Sequence, residues 1–249
     1  MKVKWDYSDL AKAYLKRPDY SDKAIELLLS SIGLNRGGKC CDVGAGVAHL
    51  SLKLAKNDIY VDAVEPNKNM SKYGKVRTKN FSNIDWFVGT GEKTGMPDNT
   101  YDLITFGSSF NVTNQEAALL ETSRIAKAGG WLAVMWNHRN LDNTIQYSIE
   151  KIIKENISGY SYGSRRKDQK DIIDKSNLFH EVNKIEEQVN HTMTVKDIVE
   201  AWRSHGTLHR QAGDKFKDII NSIEGYLISI KNDLIEIPYT TRIWYAQLK

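Results

Sequence analysis

The stretch Cys40-Cys-Asp-Val-Gly-Ala-Gly-Val-Ala-His-Leu50 constrains this chain more than any other. Apolar residues run into Asp42, the backbone turns through Gly44 and Gly46, and Leu50, Leu52 and Leu54 follow on a helix. Strand, glycine turn and helix N-terminus in that order make a ligand cradle. Glycines let backbone come close to the ligand, and the first unbonded N–H groups of the helix point at it.

The residues around the turn select the ligand. A dinucleotide cradle follows G-x-G-x-x-G, with a third glycine beside the pyrophosphate. Here that third place is His49, and Asp42 stands directly before the turn. A carboxylate there suits an α-amino group or a sulfonium cation better than a pyrophosphate. Glu65 ends the next apolar run, 23 residues beyond Asp42, where an acid accepts hydrogen bonds from ribose hydroxyls. Ribose and ammonium without phosphate describe S-adenosylmethionine (SAM), whose product is S-adenosylhomocysteine. A nicotinamide oxidoreductase is disfavoured by His49 and by the lack of evident hydride-chemistry residues.

Five apolar strands alternate with helical patterns: 39–43, 59–64, 84–88, 101–106 and 131–136. Helices are expected over 5–17, from Ser21 to Gly33, over 48–56, through Met70 to 78, and over 116–127 behind the cap Asn114, with Gly129-Gly130 breaking the last. Such alternation predicts an α/β fold with a Rossmann-like, mostly parallel, doubly wound sheet. Helices over 143–156, 168–176, 195–204 and 214–232, a sixth strand over 182–192 and a last strand over 239–247 complete a seven-stranded sheet. The expected organisation is a single domain over 1–249. It comprises N-terminal cap helices (1–35), a binding core (36–140), inserted helices with the sixth strand (141–237) and the last strand (238–249).

Composition narrows the partners. The net charge of +4 is spread along the chain, as in Lys167-Asp-Gln-Lys-Asp171, so a nucleic-acid stripe is not expected and a small-molecule substrate is. The start shows no apolar signal segment, and the longest apolar run, 131–136, is too short to span a bilayer. Cys40 and Cys41 are adjacent on a core strand and lack metal-ligand spacing, so buried reduced thiols and no metal are expected. These features point to the cytoplasm; the oligomeric state stays open.

Several ordered segments resemble class I SAM-dependent methyltransferases. Cys41-Asp-Val-Gly-Ala-Gly46 is similar to their first motif and Val61-Asp-Ala-Val-Glu-Pro-Asn67 to their second. Gly89-Thr-Gly-Glu92 with Met96-Pro-Asp98 resembles the loop near adenine. Tyr101-Asp-Leu-Ile-Thr105 resembles the fourth motif, and Arg124-Ile-Ala-Lys-Ala-Gly-Gly-Trp-Leu132 the junction into the fifth strand. Tyr14-Leu-Lys-Arg-Pro-Asp-Tyr20, Trp136-Asn-His-Arg139 and Pro238-Tyr-Thr-Thr-Arg242 resemble the trans-aconitate-type branch of small-molecule enzymes. Where many relatives carry His-Trp after the fourth strand, this chain has Phe110-Asn-Val112, so their substrates are not carried over.

The resemblance implies roles. Asp42, Gly44, Ala45 and Gly46 would cradle the methionine part, and Glu65 and Pro66 would face ribose. Asn67, Met70, Gly91 and Glu92 would surround adenine, with Phe106, Gly107 and Tyr14 completing the cofactor site. Tyr7, Tyr14 and Tyr20 belong to a segment that often closes over such sites. Asn111, His138 and His205 are the catalytic candidates, His138 as a base at neutral pH. Trp136, Asn137, Arg139, Trp202, Arg203, His209 and Arg210 are the substrate candidates, Arg139 as an anion grip. Arg165 and Arg166 lie in a glycine- and tyrosine-bounded loop, either solvated or helping to recruit an anion. The expected reaction is methyl transfer to a small anionic metabolite bearing carboxylate or phosphate, at oxygen in preference to nitrogen. A SAM-binding regulator or assembly protein without transfer is the competing class.

Overall fold

The computed structural model describes residues 10–249, except the side chains of Ser164 and Arg165. Tyr7 and the first part of the expected opening helix lie outside these residues. Five strands run parallel: β1 (Lys39–Val43), β2 (Tyr60–Val64), β3 (Ile84–Phe87), β4 (Tyr101–Gly107) and β5 (Ala126–Arg139). The last two, β6 (Asn183–Thr194) and β7 (Leu234–Gln247), are antiparallel, giving the order β3-β2-β1-β4-β5-β7-β6. The seven-stranded doubly wound sheet is the one expected. Strand order reverses between β1 and β4, so the crevice beyond their carboxyl ends is where such a sheet receives ligands.

The parallel strands are apolar on both faces because helices cover both. Cys40, Leu103, Ala133 and Met135 pack with α2 (Asp22–Ser31) and α3 (His49–Lys56); their neighbours Cys41, Ile104, Leu132 and Val134 pack with α5 (Gln115–Ile125). Between these helices, α4 (Lys68–Thr78) follows β2. Both cysteines are buried and unbridged, and burial raises both thiols well above their usual range.

A third apolar cluster lies beyond the sheet. It joins α6 (Thr144–Asn156), α8 (Val195–Arg203), α9 (Gly206–Ala212) and α10 (Phe216–Ser229) with Ile235 and Ile237 of β7. The short α7 (Lys170–Lys175) precedes β6. Several boundaries differ from expectation. Within the described residues the opening helix is regular as α1 (Ala11–Tyr14): i→i+3 bonds follow up to Arg17, where Pro18 disfavours further helix. β5 begins at Ala126, because Gly129 takes φ +71° and the Gly-Gly pair is a bulge within the strand. β7 begins at Leu234 because β6 supplies a partner for that length. Among the described residues, no helix is long and apolar enough to cross a membrane.

Candidate active site

The turn after β1 is shaped by long-range contacts. Gly44 has φ +72°, and a Cβ there would lie 2.5 Å from Ser109 Cβ; Gly46 has φ +59°. Gly44 and Ala45 donate their N–H groups to the Val64 carbonyl, at 2.8 and 3.1 Å, closing the turn against the end of β2. Glu65 then clasps both sides: Oε2 accepts from Gly46 N at 2.9 Å and Oε1 from Asn67 N at 2.8 Å. Burial pushes its carboxyl up to about 7 against those two bonds. Asn67 caps α4 by accepting from the amides of Asn69 and Met70, and Met70 is buried with its Cε facing Gly46.

Asp42 is fully buried beneath the turn. Its oxygens accept from Ser51 Oγ at 2.6 Å and Thr105 Oγ1 at 3.0 Å. Burial lifts it to about 6, opposed by these hydroxyls. The geometry therefore displays a carboxylate that ties α3 to β4 at the floor of the site, where the sequence places it against a ligand cation. The third-glycine position is also explained. His49 Nδ1 lies 2.5 Å from Asp19 Oδ1 and Nε2 3.0 Å from the Tyr14 carbonyl, fastening the N-terminal strap to the first turn of α3.

On the opposite wall, Glu92 Oε1 accepts from Asn114 N at 2.6 Å, and a Cβ on Gly91 would meet Thr113 Cγ2 at 2.4 Å. Past β4, Ser108 adopts φ +59° and its Oγ pairs with Tyr20 OH at 2.9 Å. Asn111 Oδ1 accepts from Trp136 Nε1 at 3.0 Å. Phe106 is a correction. Its side chain points into the core, edge-on to Phe110 at 5.3 Å, and does not reach the cavity wall, because alternation along β4 turns it away.

The crevice continues into a second lobe at the end of β5. Asn137 donates to the carbonyls of Pro18 and Asp19 and accepts from Thr241, so it holds the strap (residues 14–20) in place. His138 borders the cavity and lies against Trp244. Arg139, nearly buried, donates through Nη2 to Glu150 Oε2 at 2.5 Å and to Tyr162 OH. Its guanidinium lies 4.7 Å from the Trp202 ring centroid. His205 stacks on Trp202 at 5.1 Å, and its Nδ1 accepts from Leu208 N at 3.2 Å as the cap of α9.

Three substrate candidates lie outside the cavity. Arg203 pairs with Glu200 and Glu224 on the surface, His209 packs edge-on to Phe216, and Arg210 donates to Thr207. The reason is helical phase. α9 continues where a loop was expected, so His209 and Arg210 rotate outward while Trp202 and His205 face in. Glu150, Tyr162, Arg17 and Asp19 are the residues that sequence reasoning missed. Glu150 sits four residues before Lys154 and looks like half of a solvated helical pair. Arg17 and Asp19 lie inside the Tyr14–Tyr20 motif, which was the available signal. Among the described residues no His, Cys, Asp and Glu cluster could hold a metal.

Together the lobes form one cavity of about 1530 Å³, above the usual range for a single small ligand. It has room for a cofactor and a second molecule.

Residues 41–134 match the family model described as a methyltransferase domain. The chain is 31% identical over 145 residues to an uncharacterised methyltransferase of Schizosaccharomyces pombe, covering 58% of this chain and 55% of that one. It is 33% identical over 110 residues to the ubiquinone/menaquinone biosynthesis C-methyltransferase UbiE of Hydrogenovibrio crunogenus, covering 41% and 43%. The chain thus spans about half the length of the curated relatives it matches. Among solved structures, a SAM-dependent methyltransferase from Aquifex aeolicus shares the fold with a TM-score of 0.56 at 17% identity, covering 99% of this chain and 100% of that one.

Proposed function

We propose that this chain is a SAM-dependent methyltransferase acting on an oxygen of a small anionic molecule. The carrying observation is the continuity of the cavity from the Gly44–Glu65 cradle to the His138–Arg139 lobe. The matched methyltransferase domain covers the cradle, and the cradle's chemistry fits this cofactor. Gly44 and Gly46 leave room where side chains would stand, Glu65 offers acceptor lone pairs beside them, and Met70 and Glu92 flank the adjoining wall. When bound, the cofactor supplies an electrophilic methyl group on sulfonium.

The protein's own groups then have distinct tasks. Gly107 and Ser108 bring backbone close to the crossing of β1 and β4, and Trp136 fixes the amide of Asn111. His138, at the boundary of the two lobes, takes the acceptor hydroxyl proton; Arg139 and Trp202 hold its anionic end. Exclusion of water falls to the strap, tied down by Asn137 and His49 and joined to the far cap through Arg17, which donates to Ser204 Oγ and carbonyl at 2.6 and 2.9 Å. Alignment in a dry site is the main source of rate for such a displacement. A nucleic-acid acceptor is disfavoured by a charge spread along the chain, and the unit is read as cytoplasmic and single-domain. The trans-aconitate-type likeness rests on Tyr14–Tyr20, Trp136–Arg139 and Pro238–Arg242.

Calorimetric titration with S-adenosylhomocysteine, followed by ¹³C-methyl transfer to a panel of small hydroxy acids, tests the reading. Absence of cofactor binding at millimolar concentration refutes it. Similarity to a C-methyltransferase favours carbon as the second reading; the ¹³C shift of the transferred methyl separates carbon, nitrogen and oxygen products.

A further inference from the structure

Tyr239 stands on β7 directly opposite Arg139 of β5, so the two side chains share one face of the sheet. Gln146 of α6 donates to the neighbouring Pro238 carbonyl and anchors the backbone there. The ring lies edge-on to His191, 5.9 Å between centroids, and packs against the apolar cluster of the cap. Ring and backbone are therefore fixed, and with them the position of the hydroxyl oxygen. Tyr239 borders the cavity. Tyr20 and Tyr162, which border it too, spend their hydroxyls on Ser108 and Glu150. The Tyr239 hydroxyl makes no hydrogen bond among the described residues, and it is not enclosed as Arg139 Nη1 is. A phenol that is neither paired nor sealed off opens onto the cavity.

Arg139 and Arg17 are the charges that act on this phenol, and both favour negative charge beside it. Burial outweighs them and raises the phenol above its usual range, so at neutral pH it keeps its proton and donates. The guanidinium groups are committed elsewhere. Arg139 Nη2 donates to Glu150 and Tyr162 and its Nη1 is enclosed, while Arg17 is turned to Ser204 through Nε and Nη2. The arginines thus supply a field, and Tyr239 supplies the hydrogen bond. An oxygen that carries lone pairs and no proton, on a carboxylate or a carbonyl, is what this combination receives. His138 precedes Arg139 on β5 and so points to the opposite face, where it lies against Trp244. The two groups reach the cavity from different sides.

We infer that Tyr239 is a specificity-determining residue whose hydroxyl donates to a second, proton-free oxygen of the acceptor, held apart from the oxygen that faces His138. The inference rests on the methyltransferase reading and states which group makes the hydrogen bond at the far end of the acceptor. Carboxylate and neutral carbonyl share the required lone pair, and the test separates them.

The test uses the full chain saturated with S-adenosylhomocysteine, as wild type and as Tyr239→Phe, which deletes the hydroxyl and keeps the ring. Three probes of similar size, para-hydroxybenzoate, para-hydroxybenzamide and para-cresol, are titrated calorimetrically at neutral pH. Where a carboxylate is the occupant, the variant weakens para-hydroxybenzoate about 10- to 100-fold and para-hydroxybenzamide less. Where a neutral carbonyl is the occupant, para-hydroxybenzamide weakens by about 3- to 10-fold and wild type binds it at least as tightly as the carboxylate. In either case para-cresol, which lacks the second oxygen, stays within about twofold, and affinity for S-adenosylhomocysteine is unchanged. An equal loss for para-cresol assigns Tyr239 to packing and overturns the inference. So does an unmoved affinity for both oxygen-bearing probes, or no binding of any probe to cofactor-loaded protein. Failure of S-adenosylhomocysteine to bind wild type overturns the parent reading instead.

Discussion

Replacing Glu65 with glutamine tests the cradle at its most informative atom pair. The carboxyl is 7% exposed and clasps the Gly46 and Asn67 amides; burial raises it from 4.5 to about 7. That displacement corresponds to about 3 kcal/mol between the two protonation states. Its sign is the reverse of an ordinary salt-bridged acid. Between about 4.5 and 7 the folded carboxyl keeps a proton that the unfolded one has lost, so cofactor-free stability falls as pH rises through that window. Asp42, raised to about 6, adds to the same trend. On the proposed reading, ribose hydroxyls would donate to the ionised form, so binding would pull the pKa down and expel a proton. Titration of S-adenosylhomocysteine at pH 6.5 in buffers of different ionisation enthalpy should show release of roughly three-quarters of a proton in wild type, the fraction a group raised to about 7 holds at that pH. Glu65→Gln should lose most of that release and about 2–3 kcal/mol of affinity, roughly 30- to 150-fold. Its thermal stability should also vary less between pH 5 and 7. Wild-type affinity and undiminished proton release in Glu65→Gln would refute the reasoning.

Gly44→Ala forces a Cβ into a left-handed turn, 2.5 Å from Ser109 Cβ; it should lower Tm by roughly 5–10 °C and abolish binding of S-adenosylhomocysteine. His138→Asn should slow single-turnover methyl transfer by about 10²- to 10⁴-fold while leaving that binding intact; an unchanged rate removes it as base. Asn137→Ala releases the Pro18 and Asp19 carbonyls, so limited trypsinolysis at Lys16 should accelerate and bound S-adenosylhomocysteine should suppress it. Glu121 is held down to about 2, burial being outweighed by its bonds to Arg124 and Thr94. Its contribution is present above about 4.5 and lost as pH falls toward 2; Glu121→Gln should therefore cost about 2 kcal/mol at neutral pH and flatten the acid limb of the denaturation curve.

Most of the fold was legible in the sequence because its determinants are local. A continuous apolar strand requires cover on both faces, a glycine before a helix permits φ above zero, and Ser21, Asn67, Asn114 and Asn143 each satisfy an amide two or three residues ahead. Those short-range rules define the cradle from Asp42 to Glu65 and the alternation that builds the parallel sheet. The tertiary structure alone decided where the charges went. Asp42 is engaged by Ser51 and Thr105, Phe106 turns into the core, and one residual helical phase sends Arg203, His209 and Arg210 outward while Trp202 and His205 face the cavity. Glu150, which looks like a surface acid in sequence, becomes the buried partner of Arg139 because α6 is covered by α10 within the cap cluster. Propensity and capping act over one turn of chain, but the pairing of a buried charge depends on which distant element removes water from it.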